Sequence, residues 1–357
     1  MKLTTRNTHR AGRFFILLAL ASLVLAACGG QAPEDASSPA GDTVTLTLAA
    51  YTTPREAYRV LIPIFQEQWL AQTGQTVIFE ESYLGSGAQS RAVVEGFEAD
   101  IVALSLEADV TRIVDAGLIT HDWHSAPYSG IVSTSVVVFA VREGNPLGIE
   151  GWADLAQPGI EILTPNAKTS GGAMWNILSL YGAALRGHVE GVPADDPEAA
   201  HQFLLAVLRN VLVMDKGARE SITNFEQGVG DVAITYENEA LVGQQAGQTY
   251  EMVIPTSSIL IENPVAIVDV YADEHGVREV AEAFLAFLFT PEAQAVFAQY
   301  GLRSVDPGVA EQTAAQYPAL EDIFTIEFFG GWPAATADFF GETGIYTTTV
   351  LEVPSLP

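Results

Sequence analysis

Glycines and hydroxyls gather at four points in the chain, each just ahead of a segment with helical character. They are Tyr51-Thr52-Thr53, Gly85-Ser86-Gly87-Ala88, Thr169-Ser170-Gly171-Gly172 and Gly217-Ala218. The first turn of a helix leaves backbone N–H groups without partners and carries partial positive charge. Tetrahedral oxyanions bind there without a cationic side chain. Small residues let the backbone come close, and hydroxyls add further donors. Any one of these segments could be ordinary capping. Their recurrence in both halves of the chain favours amides collected from two sides of a cleft.

Other chemistries find less support. No segment has the Gly-x-x-x-x-Gly-Lys-Ser/Thr form of a nucleotide phosphate loop, or the dinucleotide fingerprint. Ser170 does not sit in a Gly-x-Ser-x-Gly elbow. His121 and His124 flank Asp122 in a loop with Trp123 and Pro127, without further ligands at metal-binding spacing. Glu237 and Glu239 are expected on one strand, facing the same side, where structural hydrogen bonding is favoured over paired-carboxylate catalysis. A secreted hydrolase is the disfavoured alternative; no catalytic residue, metal or cofactor is expected.

The charge balance narrows the partners. The chain carries 16 basic and 44 acidic residues. Four of the basic ones lie in residues 1–27, so residues 28–357 hold 12 basic against 44 acidic, a net −32. Such a surface repels nucleic acid and acidic lipid headgroups. Beyond Lys2 the lysines are Lys168 and Lys216, each immediately before one of these segments, Lys168 ahead of Thr169 and Lys216 ahead of Gly217. Positive charge placed there would offset a hostile overall field.

The elements that must position these segments alternate between strand and helix. Short β-prone runs are expected at Val44–Ala50, Thr76–Glu80, Ile101–Leu104, Ser133–Val141, Ile160–Leu163, Val211–Met214, Val232–Tyr236, Met252–Pro255 and Val265–Val270. Between them come helices. The first starts at Thr53, where Thr53 and Glu56 have capping-box spacing and Pro54 takes the first helical position. Tyr58, Leu61, Phe65 and Trp69 recur on one face of it. Repeated βα units imply an α/β protein, with open, mostly parallel sheets covered by helices on both faces. The absence of a low-complexity linker after residue 41 favours interleaved lobes. Lobe 1 is expected to comprise 42–136 and 258–357, and lobe 2 to comprise 137–257. Crossings are expected near 134–140 and 254–260, and the aromatic-rich tail beyond about 330 should wrap lobe 1.

Residues 1–27 read as an export signal. Lys2, Arg6, Arg10 and Arg13 precede the uncharged, apolar run Phe14 to Ala27. Fourteen residues fall short of the about 20 needed to span a bilayer. The run ends Leu25-Ala26-Ala27-Cys28, which resembles the lipobox of bacterial lipoproteins, and Cys28 is the single cysteine of the chain. Residues 28–41 are expected to form a lipidated cysteine and then a flexible tether. This implies a periplasmic location, or one on the outer face of the cytoplasmic membrane.

The chain closely resembles the periplasmic sulfate- and thiosulfate-binding proteins of ABC importers, from about residue 44 to 345. The phrases that carry the resemblance include Arg55-Glu56, Gly85-Ser86-Gly87, Ala99-Asp100-Ile101-Val102, Gly144-Asn145-Pro146, Thr164-Pro165-Asn166, Ser170-Gly171-Gly172-Ala173, Gly217-Ala218-Arg219, Glu237-Asn238-Glu239-Ala240 and Phe329-Gly330-Gly331-Trp332. The resemblance implies a two-lobed type II binding protein with the ligand in the cleft between lobes, acting as a monomer that delivers its cargo to a membrane permease. It implies a dehydrated sulfate held by uncharged donors. Ser86 and Ser170 would donate through hydroxyl or backbone, Gly171, Gly172 and Ala218 through backbone amides, Thr52 and Thr53 through another amide, and Tyr236 through its aromatic donor. Three positions depart from the family: Thr52 replaces Asp, Tyr236 replaces Trp and Ala88 replaces Lys. The change at Tyr236 keeps thiosulfate, molybdate and tungstate open as ligands.

Overall fold

The computed structural model describes residues 42–318, 320–353 and 356. Residues 1–27, Cys28 and the stretch through Gly41 lie outside the described residues, and with them the expected leader, lipidation site and tether.

Along the chain, β1 (Thr43–Tyr51) leads to α1 (Arg55–Thr73), β2 (Thr76–Leu84), α2 (Ser86–Val94), β3 (Ile101–Ala103), α3 (Glu107–Asp115) and the long β4 (Ile131–Val141). Next come β5 (Ile162–Pro165), α4 (Gly171–Leu185), α5 (Pro197–Arg209), β6 (Val211–Asp215), α6 (Ala218–Glu226), β7 (Val232–Tyr236), α7 (Glu237–Gln245), β8 (Glu251–Val253) and the second long strand, β9 (Ser257–Ile267). After α8 (Asp269–Glu274), α9 (Arg278–Leu288), α10 (Pro291–Gln299) and α11 (Pro307–Thr313), the tail adds β10 (Asp322–Phe324), α12 (Gly331–Ala335) and α13 (Ile345–Leu351).

The strands form one hydrogen-bonded path, β2-β1-β3-β9-β4-β7-β5-β6. The flanks β2-β1-β3 and β7-β5-β6 are parallel, as the repeated βα units require. The centre, β3-β9-β4-β7, is antiparallel. The reason is that β4 and β9 cross the molecule in opposite senses. On β4, residues 131–136 pair with β9, and the pairing passes to β7 at Val137.

Strand periodicity distributes one sequence run into two cores. Side chains alternate between faces, so on β4 Val137, Phe139 and Val141 join one apolar cluster while Val136, Val138 and Ala140 join another. On β1, Leu48 and Ala50 pack against α1, α9 and α10, whereas Ala49 packs against α3. Such near-continuous apolar strands are those of a sheet covered on both sides. The aromatic recurrence on α1 falls as expected: Tyr58, Leu61, Phe65 and Trp69 are all buried. Pro63 lies inside this helix at an exposed position.

Three expectations are corrected. First, α1 begins at Arg55, and no side chain caps it, so Thr53 makes no capping box. Its hydroxyl is turned inward instead, beside Glu239. Second, Glu237 and Glu239 are not on a strand, because β7 ends at Tyr236 and both open α7. Third, the tail packs chiefly on α4 and α5 and reaches residues 42–136 where α12 meets α3, rather than wrapping the first lobe. Phe324, Trp332, Phe339 and Tyr346 pack in the same cluster as Trp175, Tyr181 and Phe203 of α4 and α5. Trp332 meets Trp175 edge to face at 4.7 Å, and Phe339 meets Tyr181 at 5.0 Å.

Candidate functional site

The four glycine- and hydroxyl-bearing segments lie at the carboxyl ends of β1, β2, β5 and β6. In open α/β sheets that is where ligands bind. They come together in space. An added Cβ on Gly85 would fall 2.6 Å from the carbonyl oxygen of Thr169 and 2.8 Å from that of Lys216. One on Gly217 would lie 3.8 Å from both Gly85 Cα and Thr52 Oγ1. The N–H of Ala88 donates to the Thr169 carbonyl at 3.1 Å, and Thr169 Oγ1 donates to the Lys216 carbonyl at 2.8 Å. Only glycine fits at position 85, where two backbones touch.

Three helices start at this point. Gly85, Ser170 and Gly217 precede α2, α4 and α6, and none of these helices has a side-chain cap. Ser86, Gly171, Gly172 and Ala218 therefore present N–H groups that have no acceptor in their own helix. All four are buried.

The two serines divide the expected roles. Ser86 Oγ donates to Asp109 at 2.6 Å and accepts from the Ser105 N–H at 3.0 Å. Its proton is committed, which leaves the backbone as its donor. Ser170 is the reverse. Its N–H donates to the Asn166 carbonyl at 2.9 Å, so the hydroxyl is the available group.

Tyr236 stands at the end of β7, buried, with its ring 6.3 Å from that of Tyr51. Its Cε2 would lie 2.7 Å from a Cβ on Gly172, and Ala218 Cβ would lie 3.4 Å from the same point. The hydroxyls of Tyr51, Thr53, Ser105 and Tyr236 are buried, and none makes a hydrogen bond of normal length and angle among the described residues, although Tyr51 stands near Ser133, Thr53 near Glu239, and Ser105 and Tyr236 near each other. Burial raises both tyrosines well above the usual phenol value, so each keeps its proton. Ser105 is not singled out by the sequence, and Tyr51 is noted there only as part of a helix-start segment, not for its hydroxyl. Their place at or just past the carboxyl ends of parallel strands β1 and β3 is the signal that could have found them.

The charged groups stand behind this layer. Arg219, the second residue of α6, pairs with Glu56 of α1 at 2.8 Å and with Glu239 of α7 at 2.7 Å. Burial raises the Glu239 carboxyl, with Arg219 and Thr53 opposing the shift. Asp109 is held between Ser86 and Arg112. The side chains of Lys168 and Lys216 are exposed, and neither forms an ion pair among the described residues. His121 bonds Asp269 at 2.7 Å, and His124 stacks on Trp123 at 3.8 Å, both away from this centre. What gathers here is a set of neutral N–H and O–H donors, and the one serine hydroxyl held by a carboxylate, Ser86 on Asp109, also accepts from the Ser105 N–H.

An α/β fold with neutral donors at the strand ends presents an anion-capturing surface, and comparison gives it a family. Residues 46–303 match the bacterial extracellular solute-binding proteins, and the chain belongs to that family. The chain is 46% identical to a sulfate-binding protein of Synechococcus elongatus over 344 residues, covering 95% of this chain and 96% of that one. It is 34% identical to a thiosulfate-binding protein of Pseudomonas aeruginosa, covering 83% and 89%. Among solved structures it resembles the sulfate-binding protein SubI from Mycobacterium tuberculosis, with a TM-score of 0.75, 38% identity, and 83% of this chain and 99% of that chain covered. The fold is that of the type II solute-binding proteins, a non-catalytic class.

Proposed function

We propose that this protein captures sulfate outside the cytoplasmic membrane and hands it to the permease of an ABC importer. The observation that carries the reading is the meeting of three uncapped helix starts with buried, unpaired hydroxyls, and no cationic side chain among them. Sulfate is a dianion without a proton near neutrality, so a shell of donors suits it. An inward carboxylate, which hydrogen phosphate would use, is costly opposite a dianion. The carboxylates nearest the site are already engaged: Asp109 by Ser86 and Arg112, Glu239 by Arg219.

In this reading the ligand-contacting groups are the Thr52–Thr53 backbone, the Ser86 amide, the Ser170 hydroxyl, the Gly171, Gly172 and Ala218 amides, and the Tyr236 hydroxyl. Residues 42–136 and 258–318 form one lobe with its helices, and 137–257 form the other, closed in from outside by the tail. β4 and β9 serve as the hinge strands. Closure would exclude water and strengthen every donor contact. Cys28 would anchor the protein by lipid, which the mass of the exported protein would reveal.

Calorimetry on dialysed protein tests the ligand, with sulfate, thiosulfate, molybdate and phosphate titrated separately. Tight sulfate binding without a phosphate response is expected. A preference for phosphate would sink the donor-only site.

A further inference from the structure

Ser105 lies just past β3, and its backbone is fixed from three directions. Its N–H donates to Ser86 Oγ at 3.0 Å, and its carbonyl accepts from Trp175 Nε1 at 2.7 Å and from Asn263 Nδ2 at 3.1 Å. The residue is 1% exposed, yet its hydroxyl has no hydrogen-bond partner among the described residues. That oxygen lies 1.9 Å from where a Cβ on Gly171 would stand, which puts it against the opening turn of α4. The Tyr236 hydroxyl, equally buried, lies close to it; the two face each other, but neither makes a hydrogen bond of normal length and angle with the other or with any other described group. Unpaired buried hydroxyls are rare because they are unfavourable. Here two of them meet at the amides already assigned to the ligand.

We propose that Ser105 is a further specificity-determining residue, its hydroxyl forming with that of Tyr236 a two-hydroxyl corner that receives one oxygen of the bound anion. This rests on the sulfate reading above. The three backbone contacts hold the serine before the ligand arrives, so little ordering is lost on binding. A sulfate oxygen bears anionic charge and accepts strongly from such donors. The terminal sulfur of thiosulfate is larger and a weaker acceptor. The corner therefore favours the anion with four oxygens, and removing the serine hydroxyl takes more from sulfate than from thiosulfate.

The test uses the full chain, dialysed, as wild type, Ser105→Ala and Ser105→Cys. Sulfate and thiosulfate are titrated by calorimetry, and each ligand-free protein is melted. Ser105→Ala is expected to weaken sulfate about tenfold, to weaken thiosulfate less, and to leave the ligand-free Tm unchanged. The cysteine, of similar shape but a poorer donor, should fall between. Equal loss for both anions with a lowered Tm would mean a structural role and overturn the proposal, as would unchanged sulfate affinity. Should the alanine variant fail to fold, a wild-type preference ratio in Ser105→Cys overturns it alone. Failure of the wild type to bind either anion overturns the sulfate reading and this proposal together, whereas wild-type sulfate binding with unaltered variants removes only Ser105.

Discussion

At the scale of single residues, the site depends on which hydrogen of each small side chain is already committed. Ser86 and Ser170 look alike in sequence, each beside glycine at a helix start. Asp109 takes the proton of the first, and the Asn166 carbonyl takes the amide of the second. Gly171 is the most confined position. A Cβ there would meet Ser105 Oγ at 1.9 Å and Leu106 Cδ2 at 2.8 Å. Gly171→Val should push the loop aside and weaken sulfate binding about 10- to 100-fold, the effect of roughly 1–3 kcal/mol of overpacking; titration calorimetry reads it, and normal binding would remove this loop from the site. The glycines, Ser170 and Ala218 stood out in the sequence as candidates because helix-start chemistry has local signatures, and Tyr236 only through the family resemblance. Ser105 did not, and Tyr51 only as a backbone position, because a tyrosine or serine at a strand end carries no mark of whether its hydroxyl finds a partner. That depends on neighbours far along the chain.

At the scale of elements, most strands and helices were legible, and the errors share a cause. β2 runs to Leu84 rather than Glu80, and β9 begins at Ser257 rather than Val265, because long pairings with β1 and β4 override weak local preference. Thr53 and Glu56 have the spacing of a capping box, yet tertiary contacts claim both: Glu56 pairs with Arg219, and Thr53 faces Glu239. Arg219 thus ties α1, α6 and α7 together. Replacing it with methionine leaves Glu239, 2% exposed, as an unmatched buried carboxylate. Loss of about 3 kcal/mol is expected from breaking such a pair. The pH dependence should change as well. A carboxyl whose folded pKa is raised binds more protons in the folded state, so its contribution weakens as pH climbs from the unfolded value of 4.5 toward the folded one. Denaturant melts of Arg219→Met at pH 5 and pH 7 should therefore differ from each other more than those of the wild type do, and parallel behaviour of the two proteins would refute the assignment.

At the scale of the whole molecule, alternating βα units without a linker led to an expectation of interleaved lobes, while the destination of the tail could not be read. Its aromatics fit either lobe by composition, and only shape assigns them to the α4–α5 face. Asp322 of β10 fastens the tail. It accepts from Arg186 Nε at 2.8 Å and from Ser257 Oγ at 2.7 Å, and the Arg186 hydrogen bond holds its carboxyl at about 2. A depressed carboxyl stabilises fully above its unfolded value of 3.8, and that contribution is lost as pH falls toward 2. Asp322→Asn should lower Tm at pH 6 and match the wild type near pH 2; a gap that persists in acid would argue against the ion pair. The path of the tail also has a consequence for biogenesis. A chain threaded through a translocation pore emerges from its first residue onward. The α4–α5 face then stays uncovered until Phe339 and Tyr346, among the final residues to emerge, reach it. The apolar packing over α4 and α5 is therefore completed by residues more than a hundred positions further along the chain, which makes that face a late one to close.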